Sequence, residues 1–185
     1  MKALNSSGLS WVVVFAVLAG CGDSGGGNKA PSATPSSATA SAAPKPAELV
    51  DVDLAPIPLK LKAEKGANVG YKTPNDDFKM IRVDLPNGHG VAVEDISNGA
   101  QNTFALQKEK REGDKALFPF KKWEKEAADR AILQFEKNGT TGYYGFVSKE
   151  IGGKRYVCAT SGMSGRPTVA EVEQDFGICD TLAAK

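Results

Sequence analysis

The chain has one histidine, His89, and three cysteines in 185 residues. With a single imidazole, a Ser-His-Asp arrangement or a multi-histidine metal centre would rest on His89 alone. That residue stands between Gly88 and Gly90 and follows Pro86 and Asn87, so it reads first as a turn position. An excess of one charge is also missing: 23 basic side chains face 22 acidic ones, with no long basic stripe. Charge therefore gives no basis for binding nucleic acid or for electrostatic attachment to an anionic lipid surface. No apolar run reaches the roughly 20 residues that cross a hydrocarbon layer. The run at 11–19 is shorter and fits the core of an export signal better than a transmembrane anchor. Cys-x-x-Cys spacing is absent, which disfavours thiol redox chemistry, and EF-hand spacing is absent too.

Three compositional regimes follow one another. Residues 1–20 carry Lys2, a polar patch at Asn5, Ser6 and Ser7, and then the apolar run, the order of a signal peptide. Residues 21–47 hold Cys21 and then almost nothing but Gly, Ser, Ala, Thr and Pro. Such a segment cannot offset the backbone entropy that ordering it would cost, so a flexible linker is expected. As a random coil it would span roughly 30 Å. Residues 48–185 have the mixed apolar and charged pattern of one folded domain. Lys2, Lys29, Lys45 and Asp23 lie outside it, leaving its own charge close to balanced.

The run Leu18, Ala19, Gly20, Cys21 resembles the lipobox of bacterial lipoproteins. A branched apolar residue and two small ones precede a cysteine, at the end of a segment of the right size and just before a linker. The resemblance implies that the Cys21 thiol is alkylated by diacylglycerol and becomes the first mature residue. Two or more acyl chains, at about 0.8 kcal/mol per buried methylene, hold a protein stably at a membrane. Aspartate at the second mature position would favour retention in the inner membrane under the enteric sorting rule. Gly22 stands there, so the outer membrane is favoured, with either its periplasmic or its surface face open.

With Cys21 committed to lipid, Cys158 and Cys179 remain as an even pair in an exported chain, and a disulfide is the simplest reading. The domain itself reads as α+β, a mainly antiparallel sheet with two packed helices. Strands are expected around Ile57, Leu59 and Leu61, over 78–85 and 90–96, and around 103–107. Pro119 in a first turn, followed by Phe120, Trp123 and Ala127 at spacings of three and four, predicts a first helix with Trp123 as its core anchor. Strands over 131–136, 142–148 and 155–160 follow, separated by Asn138-Gly139 and Gly152-Gly153. Thr168 and Glu171 form a capping box for a second helix, whose stripe Val169, Val172, Phe176 and Cys179 puts Cys179 inward. This element order resembles that of the photosystem-II subunit P fold and its bacterial relatives. No motif accompanies the likeness, so it implies nothing about site residues.

No catalytic, cofactor-binding or metal-binding constellation is legible. Asp76 and Asp77 are adjacent carboxylates without the six or more ordered oxygens a cation site needs. Glu94 and Asp95 fall on opposite faces of a strand and cannot act as a pair. The loop with Gly162, Ser164 and Gly165 precedes a helix N-terminus, where an anion could sit, but the phosphate-binding fingerprint is lacking. The charged run at 108–115 mixes signs and reads as a solvated face or loop. The reading favoured is a non-enzymatic envelope module that binds another envelope protein or a cell-wall component, with exposed aromatics such as Tyr143 or Tyr144 as contacts. The alternative is a periplasmic hydrolase working through carboxylates or a Ser/Lys arrangement.

Overall fold

A computed structural model describes residues 48–75 and 78–185. Ten strands and two helices follow in the order β1 (Leu49–Asp53), β2 (Leu59–Glu64), β3 (Asn68–Asn75), β4 (Phe78–Asp84), β5 (Gly90–Asp95), α1 (Phe104–Gly113), β6 (Phe120–Glu126), β7 (Arg130–Lys137), β8 (Thr140–Ile151), β9 (Lys154–Thr160), α2 (Val169–Asp180) and β10 (Ala183–Ala184). Seven strands make one sheet in the order β3-β4-β5-β9-β8-β7-β6, and β1-β2-β10 make a smaller one. Every pairing is antiparallel. The domain is thus α+β, with two helices on a mainly antiparallel framework.

Local chemistry explains the meander β7-β8-β9. Asn138 and Gly139 have φ of 52° and 75°, the left-handed pair that a two-residue hairpin turn requires. Side chains then alternate across the large sheet. On one face Ile81, Val93, Ile132, Val147 and Cys158 are buried with Val172, Phe176 and Cys179 of α2 and with Leu59 and Leu61 of β2. On the other, Leu133, Phe135, Tyr144, Phe146 and Val157 form a second cluster, against which Phe104 of α1, Phe120 and Trp123 pack. The sheet is the middle of three layers.

Helix α2 begins where the sequence places it. The Thr168 hydroxyl accepts from the Glu171 N–H at 3.3 Å, and the Glu171 carboxylate accepts from the Thr168 N–H at 3.1 Å. Its close seating depends on Gly145. A Cβ there would overlap Val172 and come within 2.7 Å of the Phe176 ring.

Two expectations are corrected. The helix expected from Pro119 to Ala127 is the edge strand β6. Its pairing with β7 shifts register between Phe120 and Lys122 and again between Trp123 and Lys125. Each bulge adds a residue, so Phe120 and Trp123, three apart, share one face with ring centroids 5.1 Å apart. Bulges thereby reproduce a helical spacing in an extended chain. Conversely, the strand expected at 103–107 is the start of α1, with Thr103 as N-cap accepting from the Leu106 N–H at 3.3 Å. Only Gln107 of that helix is buried, so no apolar periodicity announced it. The charged run is consequently helical as far as Gly113, with Asp114 as the C-cap, and it is not purely solvated. Strands β1, β3 and β10 were not anticipated.

Candidate functional site

Cys21 and Asp76 and Asp77 lie outside the described residues. Cys158 of β9 and Cys179 of α2 are joined as a disulfide, with Cα atoms 5.6 Å apart, and they are 1% and 0% exposed. Such burial removes the sulfurs from any partner thiol. His89 is a turn residue: its N–H donates to the Asn87 side chain at 2.9 Å and its carbonyl accepts from the Leu85 N–H at 2.9 Å. Tyr144 is buried and therefore cannot serve as an exposed contact, whereas Tyr143 is half-buried.

The Gly162–Gly165 loop carries its exposed residues Gly162 to Ser164 to the surface. It folds back so that Tyr143 and Arg166 exchange backbone hydrogen bonds of 2.8 Å each, and it delivers Arg166 into the interior. Arg166 and Asp175 of α2 are 3% and 1% exposed. Nη2 of Arg166 donates to Asp175 Oδ1 at 3.0 Å and to the Gly90 carbonyl at 2.6 Å, and Nη1 donates to the Ser161 carbonyl at 3.1 Å. Nε lies 3.0 Å from Oδ2 but is not aligned as a hydrogen bond, so that contact is Coulombic. Burial pushes the Asp175 carboxyl above the usual range, against the pull of Arg166 and of the Thr160 hydroxyl. The pair ties loop, helix and the start of β5 together. A carboxylate between Val172 and Phe176 on the inward stripe was its visible signal; Arg166, brought in by a loop, gave none.

The richest concentration of chemistry lies under α1. Phe104 packs at a tilt against Phe146 with centroids 5.3 Å apart, Lys108 Nζ sits 4.8 Å from the Trp123 ring, and the Arg111 guanidinium 4.8 Å from the Tyr144 ring. These residues, with buried Gln107, recur at three and four and form one helical stripe. Two cations thus lie over two aromatic faces, each contact contributing about 0.5–2 kcal/mol. Lys108 also pairs with Glu126, and the Trp123 N–H donates to Glu112 at 2.6 Å. The same helix is under-satisfied: Gln107 Nε2 donates to the Gln101 carbonyl at 2.6 Å, but Gln107 Oε1 and Arg111 Nε are buried without a partner. A buried unpaired polar atom costs about 1–3 kcal/mol.

Glu94 of β5 belongs to this surroundings. Burial pushes its carboxyl above the ordinary range, opposed by Lys110 and Arg111. The Tyr144 phenol is pushed up by burial as well. Asp114 resists burial and is held low by the backbone N–H groups of Leu117, Ala116 and Phe118. Along the rim run two shallow grooves open to solvent. One, of about 400 Å³, is bounded by Phe104, Lys108, Glu112 and Ala127; the other, of about 320 Å³, by Thr103, Asp129, Lys149 and Arg155. Among the described residues no group of three or more His, Cys, Asp or Glu could hold a metal, and no helix is long and apolar enough to cross a membrane. The chain matches no family model, no curated protein and no solved structure.

Proposed function

We propose that this chain is a lipid-anchored protein of the bacterial cell envelope whose domain binds another envelope protein or a cell-wall component. The observation that carries the reading is the run Leu18, Ala19, Gly20, Cys21 between a signal-sized apolar segment and a linker. Diacylglycerol on Cys21 holds the protein at the membrane, and Gly22 after it favours the outer membrane. A disulfide between Cys158 and Cys179 suits an oxidising compartment outside the cytoplasm. The binding role draws support from the shallow grooves beside α1, which offer mixed charges and the Phe104 ring around an open floor, a setting for contact with a large partner.

The test is Cys21→Ser with radiolabelled palmitate. Wild type should incorporate label and remain with membranes, while the variant, lacking the thiol that diacylglycerol alkylates, should take up none and stay unprocessed or soluble. A variant that still labels and sediments with membranes would defeat the lipoprotein reading. Crosslinking in intact cells followed by pull-down then identifies the partner.

A further inference from the structure

We infer that α1 is a displaceable cover and that the aromatic sheet face beneath it is a docking site for an amphipathic helix of a partner protein. The inference rests on the reading of the domain as a binding module and names the site and the kind of ligand.

The face under α1 is built from rings: Phe146 beneath Phe104, Tyr144 beneath Arg111 and Trp123 beneath Lys108, with Phe118 packed beside Tyr144. The helix that covers it matches it poorly. Of the stripe Phe104, Gln107, Lys108 and Arg111, one side chain is apolar, and two carry buried polar atoms that find no partner. The other helix of the same domain is held more firmly: its one buried oxygen without a hydrogen bond, Asp175 Oδ2, faces Arg166 Nε at 3.0 Å, while α2 seats Val172, Phe176 and Cys179 in the core and is bonded to β9. Segments held by few apolar contacts open far below the cost of global unfolding.

What the face accepts is shown by what occupies it. A ten-residue helix lies on it, meeting it at spacings of three, four and seven, the spacing by which grooves recognise amphipathic helices. A partner helix with apolar side chains where α1 has Gln107 and Arg111 would remove both unpaired atoms and gain contact with Phe146 and Tyr144. Basic residues at the position of Lys108 would keep the pairing with Glu126. Therefore α1 is a weak internal competitor for its own site, and a better helix displaces it.

Two measurements on the full chain test this. In hydrogen exchange, the amides of α1 should exchange at least about a hundredfold faster than those of α2, as a sub-global opening requires. In fluorescence anisotropy, a labelled synthetic peptide of residues 103–117 carrying Gln107→Leu and Arg111→Leu should bind saturably. Gln107→Leu in the chain itself tightens the cover and should weaken peptide binding at least about tenfold, because fewer molecules are open. Phe104→Ala loosens the cover and should strengthen binding, with a far-UV melt confirming that the rest of the domain stays folded. Protection of α1 equal to that of β8 would overturn the inference. So would absence of saturable binding to both wild type and Phe104→Ala, or equal binding to wild type and Gln107→Leu. Palmitate labelling at Cys21 reports the other end of the chain, so anchoring and docking can fail separately.

Discussion

Replacing Gly145 by alanine and Gly177 by alanine adds the same methyl group beneath α2 and on its exposed side, and the two changes should have opposite signs. At Gly145 on β8 the new Cβ would overlap the Val172 side chain and lie 2.7–2.8 Å from Phe176 ring atoms. Both neighbours are core residues, 0% and 3% exposed, and neither has solvent to move into. Overpacking of this kind costs about 1–3 kcal/mol. Alanine in an unstrained strand position otherwise gains over glycine, so a net loss reports the packing alone. At Gly177, within α2 and exposed, a Cβ meets nothing within 4 Å. There the helix propensity of alanine should add about 0.8–1 kcal/mol. For a domain of this size a loss of about 2 kcal/mol lowers Tm by roughly 7 °C, and a gain of about 1 kcal/mol raises it by roughly 3 °C. Thermal melts followed by far-UV circular dichroism, with the disulfide intact, measure both. An unchanged or raised Tm for Gly145→Ala would refute the seating of α2 on β8.

Loss of the disulfide through Cys158→Ser with Cys179→Ser should cost about 3 kcal/mol by the chain-entropy argument for a loop of this length, read as a fall in denaturant midpoint. Because both sulfurs are buried, reduction of the native protein should proceed no faster than unfolding, as followed by thiol trapping against time. Asp175→Ala strands Arg166 in the interior and should cost about 3–5 kcal/mol, whereas Arg166→Met with Asp175→Leu should recover much of that loss; urea titrations of both would show it. For Glu94, burial raises the folded carboxyl above 4.5, so the folded state holds the proton more tightly than the unfolded one. Stability from this group is present at low pH and is lost as pH rises from 4.5 through the raised value. Wild type should therefore lose Tm relative to Glu94→Gln across that window and run parallel above it. A difference that stays flat with pH would sink the assignment, and the comparison at each pH subtracts the similar titration of Asp175.

The features legible in the sequence were those carried by neighbours along the chain. Asn138-Gly139 sets a hairpin and Thr168 with Glu171 sets a helix start, whatever the rest of the molecule does. Strands β4, β5, β7, β8 and β9 each showed a run of apolar or alternating residues between turn signals. The errors lie where tertiary context supplies what the local pattern lacks. The β6 strand took on a helical spacing through its two bulges, and α1 hid because it turns Gln107 and two cations inward. The edge strand β3 contains Gly70 and Pro74, residues that argue against a strand unless one side of it is free of partners. For the candidate site the limit was sharper. The Arg111 and Tyr144 contact joins residues far apart in the chain, the Arg166 and Asp175 pair joins a loop to a helix with no repeating spacing between them, and neither member of either pair identifies the other.

Stability is distributed unevenly between the two faces of the large sheet, and this asymmetry has a chemical basis. On the α2 face, apolar burial, the disulfide, the capping box and the Arg166–Asp175 pair all fall within or beside one short stretch, from Cys158 to Cys179. Loss of any one leaves the others to hold the helix. On the α1 face the helix contributes one aromatic ring, two cations over rings and a buried amide with an unpaired oxygen. Cation–ring contacts are electrostatic and survive exchange with water at small cost, unlike a buried aliphatic contact. An α1 that leaves the sheet therefore gives up little per residue, while the sheet it leaves remains pinned from its other side. A sheet face that opens without unfolding its support follows from that division.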